Sequence, residues 1–343
     1  MTSSQLPDPM NSPSAIPQIS VVIPLYNKRP YIRRTVDSVL RQSLHDFELI
    51  VVDDGSTDGS LDALADLRDS RLRIIRQANQ GEGAARNTGM AAAVAPWVAL
   101  IDADDAWLPD HLAELSRLAN AFPDAGLIST TNVEACGMTL PQFSVPQQPA
   151  TIAVVDYFLA ASKRVGCVNS SSAAVRRSVF ESLGGFNDMR AGADLEYWAR
   201  VALHHPVVMS SKTTSVYFRD TGGVMAQLGA ANRRTPTAPI KHLSQLSSSV
   251  ATVLAHAQTD PSILKRPSVV AYINSRIESG MKGALFRGEM DNARRLASML
   301  IHPASRNALL YAKAASLPAF LVQWLLLIYS RMKHAQRMPH KPQ

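Results

Sequence analysis

Apolar and polar positions alternate along the first third of the chain in two rhythms. Ile19 to Ile23 (ISVVI) is a short, β-branched apolar run, the mark of a strand buried on both faces. Ile32, Val36, Val39 and Leu40 then recur at helical spacing behind Pro30. Phe47 to Val52 (FELIVV) predicts a second strand, ending in Asp53, Asp54 and Gly55. Asp58 is placed to cap a helix carrying Leu61, Leu64 and Leu67. Leu72 to Ile75 predicts a third strand, Gly81 to Val94 an Ala-rich helix, and Trp97 to Ile101 a fourth strand. Repeated βα units of this kind imply a parallel sheet with helices on both faces. In such sheets ligands bind beyond the carboxyl ends of the strands.

After Gly223 the strand rhythm stops. Ile240, Leu243, Leu246, Val250 and Val253 recur at helical spacing, as do Val269, Ile273, Ile277, Met281 and Leu285. Gly288 and Asp291 punctuate before a further helix through Leu300, and Pro303 and Ser305 restart another. The expected organisation is a disordered, Ser/Pro/Asn-rich leader at 1–17, an α/β domain at 18–222, and a helical region at 223–343 packed on it.

Composition sharpens this picture in two places. The 343 residues are 46% hydrophobic and 18% charged, which suits a chain with a real core. The net charge of +7 hides an asymmetry: residues 1–220 carry −5, and residues 221–343 carry +12. The leader lacks the basic start and apolar run of a signal peptide. Cys136 and Cys167 have no CxxC spacing and read as thiols of a reducing compartment, so the expected location is cytoplasmic. The basic end lacks the interleaved aromatics of a nucleic-acid binder.

Chemistry concentrates at the strand ends. Pro24-Tyr26-Asn27 follows the first strand, Asp53-Asp54 the second, and Asp102-Asp104-Asp105 the fourth. Taken alone, Asp53 to Asp58 reads as a turn and a cap. The Asp102–Asp105 cluster is less easily a solvated loop, since close carboxylates repel one another unless a cation sits among them. Three such groups on one sheet edge do not read as independent turns.

SVVIPLYNKRPYIRRTVDSVLRQSLHDFELIVVDDGSTDGS, then NQGEGAARNTGM, LIDADDAWLPDHL, SSAAVRRSVFESLGGFND and GADLEYWARVA together resemble the family 2 glycosyltransferases. The resemblance runs from about Gln18 to Arg219 and implies the GT-A fold: a Rossmann-like, mostly parallel sheet with helices on both faces. It implies donor-binding positions at Pro24, Tyr26, Asp53, Asp54, Arg86, Asp102 and Asp104 for a nucleotide-sugar, with a lean to UDP. It implies a DXD motif at Asp102-Ala103-Asp104, with Asp104 and Asp105 closest to a divalent Mn²⁺ or Mg²⁺ and to the diphosphate, and Asp102 nearer the ribose. The family's catalytic base follows a Gly-Gly-Phe turn, here Gly184-Gly185-Phe186, and Asp194 fits it; the Glu that often precedes the base is Ala193 here. Glu196 is the second choice. Gly81 and Gly83 suggest close backbone approach to a ligand, Asn169 to Ser172 is expected near the sugar, and Thr139 to Pro149 near the acceptor.

The expected function is an inverting, metal-dependent transfer of a sugar to a hydroxyl of a glycan or lipid-linked acceptor in cell-surface polysaccharide synthesis. Transfer to a polyprenyl phosphate, which needs no base, and nucleotide-sugar binding without turnover stay open at this point. The run Ala314 to Tyr329 (AASLPAFLVQWLLLIY) is shorter than the ~20 residues of a usual span. With basic flanks at Lys313, Arg331, Lys333, Arg337 and Lys341, it suggests an interfacial helix near 314–334 on the cytoplasmic face of an anionic inner membrane. A core helix is the even alternative.

Overall fold

The computed structural model describes residues 16–319, 321 and 322, apart from 138–149, 165–166, 190–191 and 222–239. Residues 1–15 of the expected leader, the whole Thr139–Pro149 loop, and the apolar run beyond 322 lie outside these residues.

The α/β part runs β1 (Ile19–Leu25), α1 (Arg29–Leu40), β2 (Phe47–Asp53), β3 (Leu72–Arg76), α2 (Glu82–Ala92), β4 (Trp97–Leu100), β5 (Ala106–Trp107), α3 (His111–Ala121), β6 (Leu127–Ala135), β7 (Ile152–Val155), α4 (Tyr157–Lys163), β8 (Ala173–Arg176), α5 (Arg177–Leu183), α6 (Ala193–His204) and β9 (Val207–Phe218). The sheet order is β3-β2-β1-β4-β8-β6-β9-β5, with β7 paired to β9. The four predicted strands form the parallel half. Beyond β4 the sheet is mixed: β8 is antiparallel to both β4 and β6, while β6 and β9 run parallel.

The apolar runs are continuous because both faces of the parallel half are covered. Val21, Ile23, Leu49, Val51 and Ala99 point into one cluster with Ile32, Val36 and Val39 of α1 and Leu112, Leu115 and Leu118 of α3. Their neighbours Val22, Ile50, Val52, Val98 and Leu100 point the other way, to Ala85 and Met90 of α2 and Trp198 of α6. One residue's shift in register would exchange the two sets. Gly89 lets α2 approach β1: a Cβ there would lie 2.3 Å from Cγ1 of Val22. Val22 is buried and β-branched, so it has no rotamer into which to retreat. Gly89→Ala should destabilise the fold by about 1–3 kcal/mol, read as a lower urea midpoint at unchanged slope.

The helical region supplies part of the second cluster. It comprises α7 (Ser248–Thr259), α8 (Pro267–Arg287), α9 (Met290–Ser298) and α10 (Arg306–Ser316). Val250, Val253, Tyr272, Ile273 and Ile277 share one core with Phe158 of α4 and Trp198 and Val201 of α6. Gly288, at φ 78°, ends α8, and the Ser305 hydroxyl caps α10. Only one predicted element of the parallel half is missing: Leu61 to Leu67 forms a single 3₁₀ turn (Asp62–Leu64). Asp58 caps α1 instead, its Oδ2 accepting from the Arg29 N–H at 2.9 Å.

Candidate active site

The strand order fixes where a ligand fits. From β1 the chain winds outward through β2 and β3, then crosses back to β4 on β1's other side. The crevice at the carboxyl ends of β1 and β4 is therefore the switch point of the sheet. Pro24 lies two residues beyond Val22↔Leu100, the last β1–β4 pair, so its missing N–H interrupts no ladder with β4. Asn27 then adopts φ 51°, and its Oδ1 accepts from the Thr57 N–H at 2.8 Å, stitching the two strand ends together. Tyr26 stands at this edge with 47% of its surface exposed.

The two aspartates ending β2 turn inward. Asp53 Oδ1 accepts from the Ser56 N–H at 3.1 Å. Asp54 is 2% exposed, and both its oxygens are engaged: Oδ1 with Gln77 Nε2 (2.8 Å) and the Gln80 N–H (2.9 Å), Oδ2 with the Gly81 N–H (2.8 Å). It organises the segment leading into α2. Gly81, at φ 92°, makes the bend before α2. Gly83 faces the Asn187 carbonyl oxygen, 3.2 Å from where a Cβ would sit, so its smallness serves packing within the chain. That differs from the ligand approach its sequence suggested.

At the end of β4 the carboxylates divide. Asp102 Oδ1 accepts from Arg86 Nη2 at 2.6 Å, and Arg86 also pairs with Glu82 one turn earlier on α2. Arg86 is buried, with its guanidinium carbon 5.2 Å from the Phe186 ring centroid. Burial works against its charge, but Glu82, Asp102 and Asp194 outweigh it and hold it protonated. Burial raises the Asp102 carboxyl to about 6; Arg86 opposes this, while Glu82 and Asp104 add to it. Asp104 Oδ2 lies 2.5 Å from Lys28 Nζ.

Asp105 does not join them. It is 0% exposed, with Oδ1 accepting from the Phe218 N–H (3.0 Å) and Oδ2 from the Ser171 hydroxyl (2.5 Å). Burial, reinforced by Asp102, pushes its pKa well up. The expected metal contact from Asp105 therefore does not match this geometry: its carboxylate faces β9 and Ser171, and it braces the turn from behind. Ser171 also accepts from the Asp102 N–H, and its carbonyl accepts the Trp107 indole N–H at 2.6 Å. The Asn169–Ser172 segment thus underpins the acidic turn.

Asp194 lies in the first turn of α6, behind Gly192 in the left-handed region. Burial raises its pKa; Arg86 opposes this and Asp102 adds to it, so the three side chains share one electrostatic site. Glu196, the second choice for a base, is excluded. It is 1% exposed, its oxygens take Arg200 Nε (3.0 Å) and Nη2 (3.1 Å), and Thr252 on α7 donates to it at 2.8 Å. Arg200 in turn donates to the carbonyls of Leu183 and Gly185, both at 2.5 Å. Asn87 clamps the next residue, accepting from the Phe186 N–H (2.7 Å) and donating to its carbonyl (2.8 Å). The Gly-Gly-Phe turn is thereby fixed from both sides. His204 is the last residue of α6 and His205 follows it as the C-cap. Lys28, Glu82 and Asn87 were not singled out by sequence, and Ser171 and Phe186 entered only as members of the Asn169–Ser172 segment and the Gly-Gly-Phe turn.

Residues 20–184 match the glycosyl transferase family 2 model. The chain carries a family 2 glycosyltransferase domain. An uncharacterized glycosyltransferase of Nostoc sp. is 34% identical to it over 173 residues, 48% of this chain and 53% of that protein. The succinoglycan biosynthesis protein ExoW of Rhizobium meliloti is 46% identical over 111 residues, 31% of this chain and 35% of that protein. The chain thus spans about half or less of these relatives' lengths. TarS 1–349 of S. aureus, solved in complex with UDP-GlcNAc, superposes with a TM-score of 0.61 at 17% identity, covering 87% of this chain and 90% of that one. The glycosyltransferase domain therefore has the α/β GT-A fold, and the likeness includes the helices that follow it.

Proposed function

We propose that this chain moves a sugar from a nucleotide-diphosphate donor, a UDP-sugar, to a hydroxyl of a glycan or lipid-linked acceptor, with inversion, in polysaccharide synthesis. The observation that carries this is the gathering of the carboxylates Asp102 and Asp104 at the switch point of the sheet, each paired with a cation, Arg86 and Lys28. The donor's base lies at the ends of β1 and β2, where the Tyr26 ring covers its face and Asp53 and Asp54 shape the wall. The diphosphate lies toward Asp102 and Asp104. Asp194 takes the proton of the acceptor hydroxyl, and its raised pKa suits that task. The names of the relatives in succinoglycan synthesis and of the UDP-GlcNAc complex support the acceptor and donor classes.

The donor set suits a hard cation such as Mn²⁺ or Mg²⁺. Among the described residues no three His, Cys, Asp or Glu side chains cluster to enclose an ion. A strand-end carboxylate pair is nevertheless what Mg²⁺ uses when phosphates and water complete its shell. Asp104, with Asp102, would hold the ion, which when bound neutralises the charge growing on the leaving diphosphate. Incubation with a panel of nucleotide-sugars and an oligosaccharide acceptor tests the reading. Nucleotide release with an inverted anomeric product is expected. Retained configuration, or binding without turnover, overturns it.

We also place the chain on an anionic membrane surface. Among the described residues no helix is long and apolar enough to cross a membrane. Leu309, Leu310, Leu317 and Leu321 are exposed on and after α10, while Ala315 and Val322 pack against α8 and α9. The early part of the apolar run is thus shared between core and surface. Full-length protein should float with anionic liposomes at low salt and partly detach at high salt. Protein remaining at the bottom of the gradient removes the anchor.

A further inference from the structure

Each of the two outward strand-end carboxylates has its own cation, and the two cations are held differently. Arg86 on Asp102 is fixed: it is buried, paired a second time with Glu82, and packed on Phe186. Lys28 on Asp104 is held by less. Its Nζ lies 2.5 Å from Asp104 Oδ2 and 3.3 Å from the Thr221 carbonyl, at the end of a flexible four-carbon stem. The left-handed Asn27 turns the chain so that the Lys28 N–H anchors on the Ser60 hydroxyl at 2.9 Å while the ammonium reaches across the crevice. Both partners are largely covered, with 21% and 13% of their side chains exposed, so water screens the pair only partly.

We infer that Lys28 is a resident cation on Asp104, which a divalent metal ion must displace and whose freed ammonium then pairs with the donor's diphosphate. The inference rests on the reading of Asp104 as a metal-holding residue. It follows from charge and reach. An ammonium and a divalent ion on one carboxylate repel each other at that range, so the ion binds most tightly once the ammonium has moved off, and a strongly hydrated ammonium leaves more readily when an anion of higher charge is offered nearby. Without nucleotide, Lys28 occupies the carboxylate and lowers metal affinity. With nucleotide diphosphate present, the displaced ammonium gains a new partner. Metal and nucleotide therefore bind with positive coupling, and Lys28 supplies part of it. An arginine at 28 would keep the charge and preserve the competition.

Titration of the full chain with Mn²⁺, followed by electron paramagnetic resonance of the free ion, tests this with and without UDP. Lys28→Met should bind Mn²⁺ about five- to tenfold more tightly than wild type in the absence of UDP. It should also show a smaller gain in Mn²⁺ affinity when UDP is added. Lys28→Arg should behave as wild type in both, which separates loss of charge from loss of the native side chain. Asp104→Asn should lose the Mn²⁺ site. If Asp104→Asn loses Mn²⁺ but Lys28→Met binds it as wild type does, the displacement is wrong and the metal-holding reading stands. If Lys28→Arg tightens Mn²⁺ as much as Lys28→Met does, charge competition is wrong. If Asp104→Asn binds Mn²⁺ normally, the metal-holding reading fails and the inference falls with it.

Discussion

Asp104→Asn should leave the fold intact and lower sugar transfer by at least about 10²–10³-fold. The amide keeps the shape of the side chain but removes the charge that Lys28 answers in the free protein and that a metal ion would answer in the loaded one. Little of the fold depends on the Asp104 side chain. The turn it sits in is held through its backbone: its carbonyl accepts Arg34 Nη2 at 2.5 Å, and the Thr35 hydroxyl lies 2.9 Å from the Ala103 carbonyl and 2.7 Å from that of Asp105. Circular dichroism and the urea midpoint should therefore match wild type while turnover collapses. Asp105→Asn should behave differently. Its amide would place an N–H₂ against either the Phe218 N–H or the Ser171 hydroxyl, both of which now donate to it. Facing Phe218, it would set a buried donor against a donor; facing Ser171, it would leave the hydroxyl proton without its carboxylate acceptor, and either way stability as well as activity should fall. Full activity of Asp104→Asn, or of wild type in excess chelator, would sink the metal assignment. Equal stability of the two variants would sink the division drawn between the carboxylates.

Asp194→Asn should bind the donor as wild type does and lose roughly 10²–10⁴-fold of the transfer rate to a hydroxyl acceptor. Asparagine keeps the shape of the side chain in the first turn, so the start of α6 should persist. It cannot take up a proton. The wild-type rate should fall as pH drops through the carboxyl's pKa, because only the ionised form is a base. Since burial raises that pKa, the acid limb should lie higher than an ordinary aspartate would place it. The limb should vanish from the residual rate of the variant. A near-wild-type rate for Asp194→Asn would favour an acceptor that is already an anion, such as a polyprenyl phosphate.

The parallel half of the sheet was legible because its strands are buried twice over. Residues such as Val21 and Val22 must both be apolar when each faces a covered side of the sheet, and that leaves an unbroken run in the chain. The mixed half left weaker traces. β8 has four residues and β5 two, and their partners lie far off in sequence. The site divided along the same line. Asp102, Asp104 and Arg86 stood out by residue type beside a strand end or a Gly-rich turn. Ser171 was legible only as part of an expected neighbourhood, since its bond to Asp105 spans 66 residues. Lys28 reaches Asp104 across 76 residues. Asp105 and Glu196 show the opposite difficulty. A carboxylate beside a strand end or in a first helical turn looks available in sequence, whereas here each is folded inward onto specific donors. The predicted Asp58-capped helix failed for a related reason: the Arg29 N–H on α1 claims that carboxylate.

The bond from Thr252 to Glu196 bears on how this architecture could be recombined. Glu196 orients Arg200, Arg200 holds the carbonyls of Leu183 and Gly185, and Asn87 clamps Phe186, on which Arg86 rests. A graft that joined residues 18–222 to the tail of another enzyme would lose the hydroxyl that completes this relay and uncover the Phe158, Trp198 and Val201 faces that α7 and α8 now seal. Chimeras built at that joint should inherit an unmoored Gly-Gly-Phe turn, however intact their nucleotide half. A working swap would have to carry α7 and α8 along with the sheet and exchange only what comes after.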